Sequence, residues 1–117
     1  MTTTEAMENH AMLTEARGLL AAGWMQRAYH NADSTRFCAD GALRRAAWKV
    51  AYSLDLPHIL TNGLVARAKR FLMRHVPTND HIVAWNDDPD RTHADVLAAF
   101  DAAIVEAKAA LRKETTG

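Results

Sequence analysis

The stretch that decides the fold is THADVLAAFDAAIVEAKAAL, residues 92–111. Its apolar side chains recur every three or four positions, which is the period of an α-helix with one face in a protein core. They are Val96, Leu97, Phe100, Ile104, Ala107 and Leu111. Thr92 and Asp95 have the spacing of a capping box, in which two side chains bond the free backbone amides at a helix start. The sequence therefore predicts a long amphipathic helix beginning at Thr92.

Two further helices are predicted in the first half of the chain. Thr2 and Glu5 form a second capping box ahead of a helix that Gly23 ends, as glycine does at the position after a helix. The helical period fails from residue 24 to 35 and returns from about Arg36 to Leu54. The side chains expected to cap that second helix are Asp33 and Ser34.

The middle of the chain predicts one long helix and one short one. Thr61 or Asn62 is expected to cap a third helix, which Pro77 ends. Oxygens of Thr78, Asn79 and Asp80 precede Ile82, Val83 and Trp85, a pattern that favours a short helical turn over a strand. Residues 86–91 contain Pro89 among three aspartates and indicate a surface turn.

These elements predict an all-α fold, a compact bundle of about four helices with one short extra helical turn. With 117 residues and no repeat or linker, residues 1–117 are expected to form a single helical domain. Fourteen Lys and Arg balance fourteen Asp and Glu, so nucleic acid is not expected as a partner. No stretch has the apolar length of a membrane span or a signal peptide, which predicts a cytoplasmic protein with no membrane contact.

The first candidate site is the segment Trp85 to Thr92. An indole beside an amide, carboxylates and a guanidinium is typical of a recognition surface, because Arg91 can pair with a carboxylate in a planar fork while Asn86 both donates and accepts. The structural alternative is that Asn86 and Asp87 bond loop amides, Trp85 fills the core and Arg91 pairs with a nearby aspartate.

The second candidate site joins Trp24, Gln26 and Tyr29, side chains that combine flat apolar surface with hydrogen-bonding tips. Aromatic residues at the edge of a helical core give the same pattern. Since buried amides and carboxylates need partners, we predict that the segment 24–26 meets the segment 85–91. Cys38, the single cysteine, lies in an alanine-rich four-residue ladder and is predicted to be buried and slow to react.

The third cluster is a basic face on the third helix, where Arg67, Arg70 and Arg74 fall at i, i+3 and i+7 with Lys69 and His75 nearby. We predict that this face is mainly solvated, although it has the charge to bind phosphate or to face the acidic turn 87–90. The six histidines form no HExxH motif and no i, i+4 pair on one helix, so no metal is expected. With no glycine-rich phosphate loop either, no cofactor is expected.

The chain resembles a family of small uncharacterised proteins from actinobacteria and their bacteriophages, a domain of unknown function. The resemblance covers nearly the whole chain and rests on the motifs Gly23-Trp24-x-Gln26, Cys38-x-x-Gly41-Ala42-Leu43, and Trp85-Asn86-Asp87 followed by Arg91-Thr92 and Val96-Leu97. Two departures stand out: relatives have glycine in place of Arg27 and tryptophan in place of Phe37. If that glycine lets a ligand approach the backbone, Arg27 argues against such a ligand here. The resemblance implies no activity.

Two functional hypotheses follow. The favoured one is a non-enzymatic helical binding module, encoded by a phage or by its host, that engages a host protein or a small polar ligand. The residues assigned to this site are Trp24, Gln26, Tyr29, Trp85, Asn86, Asp87 and Arg91. The alternative is a small enzyme acting on a polar substrate, with Asp87 as the acid or base and Asn86 and Arg91 as electrostatic stabilisers. The sequence does not fix an oligomeric state.

Overall fold

A computed structural model describes residues 1–76 and 81–116 of the chain. Within them the chain is helical, and the predicted all-α class is confirmed. Four long helices and one short helix occur, together with a 3₁₀ turn at His58–Leu60. The helices are α1 (Thr3–Ala22), α2 (Ala39–Ser53), α3 (Thr61–Met73), α4 (Ile82–Asp87) and α5 (His93–Thr116).

Both predicted capping boxes are present. The Glu5 amide donates to Thr2 Oγ1 at 3.0 Å, and the Thr2 amide donates to Glu5 Oε1 at 3.1 Å. Thr92 and Asp95 exchange the same two bonds at the start of α5, at 3.0 and 3.1 Å. Each box satisfies backbone donors that the first turn of a helix leaves free. The spacing of two side chains was therefore enough to locate two helix starts.

The first helix ends before Gly23, as predicted, but for a different reason. Gly23 has extended backbone, with φ −178° and ψ 123°, and not a left-handed conformation. A Cβ at this position would lie 2.4 Å from the carbonyl oxygen of Thr35. Glycine is required here because the following loop passes too close for a side chain.

The predicted start of the second helix was wrong by three residues. Phe37 is held in an extended bridge, so α2 begins at Ala39, and Cys38 caps it in place of Asp33 or Ser34. The Sγ atom of Cys38 accepts from the Gly41 amide at 3.3 Å. Cys38 is buried, as predicted, with 3% of its surface exposed.

The predicted cap of the third helix was also wrong. The 3₁₀ turn leads directly into α3, whose first residue is Thr61, and neither Thr61 nor Asn62 provides a side-chain cap. The Thr61 hydroxyl instead donates back to the His58 carbonyl at 2.9 Å. Pro77 and the predicted capping residues Thr78, Asn79 and Asp80 lie outside the described residues.

The basic face of α3 is not simply solvated, which corrects the prediction made from its charge pattern. Arg67 lies 3.2 Å from the buried Glu8 of α1. Arg74 and His75 both bond Glu106 of α5. Lys69 Nζ lies 3.0 Å from Oδ1 of the buried Asp40 of α2, and Arg44 Nε lies 3.0 Å from Oδ2 of the same carboxylate. The charges of this face therefore tie α3 to three other helices.

The predicted short helical turn is α4, but it extends further than expected. Asn86 and Asp87 belong to its last turn, so the predicted surface turn begins only after them. Asn86 is fully buried, and protein groups take the place of water as its hydrogen-bond partners. This six-residue helix packs against α2 and carries the candidate site.

One apolar core joins the elements. α1 contacts α2, α3 and α5, and α3 also packs on α2 and α5. The largest fully buried apolar side chains are Trp85, Phe100, Met12, Leu13, Leu20, Leu43, Leu64 and Leu72. Across the described ranges, no helix combines the length and the hydropathy of a membrane span.

Candidate functional site

Asn86 is the centre of the candidate site, and every hydrogen-bonding position of its side chain is used. Its Oδ1 accepts from Trp24 Nε1 at 2.8 Å and from the Ala39 amide at 2.9 Å. Its Nδ2 donates to the Met25 carbonyl at 3.1 Å and to Asp87 Oδ1 at 3.0 Å. A flipped amide would face donors with donors, so this network fixes the orientation of the side chain.

Gln26 and Asp87 complete the connection between α4 and the loop of residues 23–38, which joins α1 to α2. Gln26 Nε2 donates to the carbonyls of Asn86 and Asp88, at 2.9 and 2.8 Å, and so satisfies acceptors that the end of α4 leaves free. Asp87 Oδ1 accepts from the Arg27 amide at 2.9 Å. We call this set, Trp24, Gln26, Asn86 and Asp87, the clasp.

The loop reaches the clasp because its backbone is fixed at both ends. The Phe37 amide donates to the Gly23 carbonyl, and the Met25 amide donates to the Phe37 carbonyl, each at 3.1 Å. The Cys38 amide bonds the Tyr29 carbonyl at 3.1 Å. A Cβ on Gly41 would lie 2.0 Å from that same carbonyl oxygen, so glycine is required where the loop rests on the first turn of α2.

Arg27 is one of the two departures expected from the resemblance, and its backbone has a conformation that favours glycine. Its φ is 70°, in the left-handed region that glycine adopts without strain. This conformation directs the Arg27 amide to Asp87. A glycine here needs no ligand to account for it, so the presence of Arg27 does not argue against one.

Trp85 and Arg91 lie beside the clasp and not within it. Trp85 is 2% exposed, and the Arg91 guanidinium carbon lies 4.9 Å from the centre of its ring. Arg91 Nε donates to the Trp85 carbonyl at 3.0 Å. Arg91 therefore anchors the turn after α4 by a carbonyl and a ring face, where the structural alternative expected an aspartate.

His93 belongs to the site but was not singled out from the sequence. Its ring stacks on Trp24 with centroids 5.9 Å apart and planes at 14°. Its Nε2 donates to the Leu20 carbonyl at 2.6 Å, near the end of α1. The signal available was its position directly after the cap Thr92, which places it in the first turn of α5.

Tyr29 lies outside the clasp and is about half exposed. The Arg44 guanidinium carbon lies 4.8 Å from the centre of its ring. Tyr29 also lines a pocket of about 370 Å³ beside the clasp. The other residues of this pocket, which we call the loop pocket, are Arg27, Ala28, Cys38, Val83 and Asp87.

The loop pocket has polar residues in its wall, and its one thiol, Cys38, is a weak nucleophile. Burial raises the pKa of the Cys38 thiol, and the nearby charges of Asp40 and Asp87 add to the rise, against bonds from the Gly41 and Asp40 amides that lower it. The thiol thus stays protonated at neutral pH and is a weak nucleophile. Arg91 lines a different pocket from Asp87, together with Trp85 and Asp95.

The prediction that the two segments meet is confirmed, since Trp24 and Gln26 contact Asn86 and its neighbours directly. The structural alternative also holds in part, because the side chains of Asn86 and Asp87 both accept hydrogen bonds from backbone amides. Of the predicted site residues, Tyr29 and Asp87 line the loop pocket, and Trp85 and Arg91 line the other pocket. No group of three His, Cys, Asp or Glu positioned to hold a metal ion occurs in residues 1–76 and 81–116.

Fold and site together define a small all-α protein in which a long loop is locked to a short helix by side-chain amides. The chain belongs to DUF6197, a family of unknown function, whose family model matches residues 5–106. The expected membership of a domain-of-unknown-function family is thereby confirmed. No curated protein and no solved structure matches the chain.

Proposed function

We propose that this protein is a non-catalytic binding module that engages a host protein or a small polar ligand through the loop pocket. The observation that carries the proposal is that some of the site residues are hydrogen-bonded to one another while others line a cavity. Trp24, Gln26 and Asn86 use their hydrogen bonds within the clasp, while Asp87 also lines a pocket of about 370 Å³ together with Tyr29 and Arg27. Rigid walls with a few convergent polar groups are typical of binding sites.

The polar groups of the loop pocket suggest what it binds. One oxygen of Asp87 is occupied by the Arg27 amide and by Asn86, which fixes the carboxylate and directs its remaining acceptor capacity to a ligand. Tyr29 supplies a half-exposed aromatic face next to it. A ligand with an amide or ammonium group attached to a flat or apolar part matches this arrangement.

The enzyme alternative requires Asp87, Asn86 and Arg91 to act on one substrate. Asn86 is buried with all four side-chain positions bonded, and Arg91 lies on another pocket. The geometry therefore favours the binding module. The cellular setting proposed with it is the cytoplasm of an actinobacterium, with the gene carried by the cell or by its phage.

The proposal is tested by affinity capture from an actinobacterial lysate with variants of the pocket wall. Asp87→Asn keeps the acceptor for the Arg27 amide and removes the charge, and Tyr29→Ala removes the aromatic face. Asp88→Asn is the matched control, because Asp88 is the exposed neighbour whose carboxylate bonds only the Asp90 amide within the described residues. Both pocket variants should lose a bound species that the wild type and the control retain. Equal capture by all four proteins would contradict the proposal.

A further inference from the structure

A stripe of four side chains, three on the outer face of α2 and one in the turn after it, has no role in the core or the clasp. Arg45, Trp48 and Tyr52 follow one another at i, i+3 and i+7, the spacing of one helix face, and Asp55 lies two residues after the end of α2, where its φ is 55°. All four line a groove of about 810 Å³. Trp48 is 51% exposed and Tyr52 is 90% exposed. His58 packs edge-on against Trp48 with centroids 4.8 Å apart and forms the far wall.

The charges at the two ends of this stripe are uncompensated. Neither Arg45 nor Asp55 forms an ion pair with any residue in 1–76 or 81–116. Their neighbours are paired: Arg44 with Asp40 at 3.0 Å and Lys49 with Glu15 at 2.6 Å. Arg45 lies in the second turn of α2 and Asp55 lies beyond its last residue, so the two charges stand at opposite ends of the stripe.

The stripe is self-complementary. Its order along the chain is cation, aromatic, aromatic, anion. A second stripe running in the opposite direction therefore places a suitable partner opposite each group. We propose that the face of Arg45, Trp48, Tyr52 and Asp55 binds a second copy of this chain across a twofold axis, with the two α2 helices antiparallel. Each Arg45 then pairs with Asp55 of the other copy, and each Trp48 packs on Tyr52 of the other copy. A twofold contact of this kind closes on itself and stops at the dimer.

The exposed area points to a weak dimer. With about 200 Å² for a large aromatic side chain, Trp48 and Tyr52 bury about 300 Å² per copy. Two copies give about 600 Å², half of the roughly 1,200 Å² at the lower end of stable interfaces. The exposed side chains of Arg45, Lys49 and Asp55 at the rim supply the remainder. An interface of this size is expected to be weak, so the test covers micromolar concentrations of the chain.

A single-stranded nucleic acid is the competing occupant, because aromatic faces beside cations also bind stacked bases. The groove is poorly suited to it. Arg44 and Lys49 are already neutralised by carboxylates, and Asp55 offsets Arg45. A phosphate backbone needs several free cations along its path, so the charge pattern favours the second copy.

The test is sedimentation equilibrium of the purified chain from about 5 to 500 µM, where the wild type should shift from monomer to dimer. Arg45→Asp and Asp55→Arg should each weaken the dimer at least about tenfold, because both ends of the interface become repulsive. An equimolar mixture of the two variants should dimerise again, since every end then joins opposite charges. Trp48→Ala should also weaken the dimer, while Val105→Ala, which removes an exposed apolar group from α5, should not.

Circular dichroism and thermal unfolding of each variant establish that it is folded before association is compared. A wild type that stays monomeric at 500 µM would overturn the proposal. So would a dimer that neither charge reversal weakens, or a mixture that fails to restore it, because the antiparallel pairing demands both. Binding of fluorescein-labelled oligodeoxythymidine by a monomeric wild type, abolished in Trp48→Ala, would assign the groove to nucleic acid instead.

Discussion

Replacing Asn86 with alanine tests whether the clasp holds the fold together. The substitution removes the Oδ1 acceptor of two hydrogen bonds and the two Nδ2 donors, leaving the Ala39 amide, the Trp24 indole N–H and the Met25 carbonyl without their partner. Ala39 is fully buried, whereas Trp24 and Met25 are partly exposed. An orphaned buried group costs about 1–3 kcal/mol, and water can reach the two partly exposed ones.

These terms amount to a loss of about 2–4 kcal/mol in the free energy of unfolding, with about 2 from the Ala39 amide and up to about 1 from each of the others. Such a loss is a large fraction of the total stability of a small domain, which is about 5–15 kcal/mol. The assay is urea unfolding followed by circular dichroism at 222 nm, with Asn62→Ala on the exposed face of α3 as the matched control. The control should change stability by no more than about 0.5 kcal/mol.

Asn86→Asp separates the loss of a donor from the loss of a side chain. It keeps the two acceptors for Trp24 and Ala39 but places a carboxylate against the Met25 carbonyl and beside Asp87. It should therefore destabilise strongly although its shape is unchanged. A loss below about 1 kcal/mol in Asn86→Ala would refute the reasoning, because the clasp bonds would then be replaceable by water.

Three further outcomes are expected. Thr92→Ala should lower the free energy of unfolding by about 1 kcal/mol in denaturant titrations, since it removes the hydroxyl that accepts the Asp95 amide, and an unchanged midpoint would contradict the cap. Cys38 should react with a thiol reagent about a hundredfold more slowly in the native protein than in denaturant, because burial raises the pKa of its thiol, and equal rates would exclude this. Burial alone would raise the pKa of Glu106, but hydrogen bonds from Arg74 and His75 outweigh it and hold that pKa below its usual value. The stabilisation from Glu106 is thus present above the unfolded-state pKa of about 4.3 and lost as pH falls through the lower folded-state pKa, so Glu106→Gln should flatten the decline in urea midpoint from pH 5 to 3.

Local signals predicted the helices well where the deciding residues lie close together in sequence. The capping boxes at Thr2 and Thr92 need only a partner three residues away, and the apolar period of α5 repeats along a single element. The start of α2 was missed because Phe37 is held by the backbone of Gly23 and Met25, more than ten residues earlier. Contacts of that kind leave no periodic pattern in the sequence.

The candidate site shows the same division. The need of polar tips for partners was enough to predict that the segment 24–26 meets the segment 85–91. The same argument could not predict that Asn86 is the centre of the site, because the burial of Asn86 depends on α4 packing against α2. The role of Asp40 was missed for a similar reason, since its charge is balanced by Lys69 on another helix.

The distance along the chain between Trp24 and Asn86, 62 residues, also has a kinetic consequence. About half of the polypeptide, including all of α2 and α3, lies between the two residues, so forming this bond closes a long loop. The docking of α1 on α5 joins segments that lie further apart still. Long-range contacts slow the folding of helical proteins relative to bundles in which only neighbours pack. During synthesis, the part of the α1 surface that α5 covers therefore stays exposed until the last helix has left the ribosome, an interval in which chaperones and proteases have access to it.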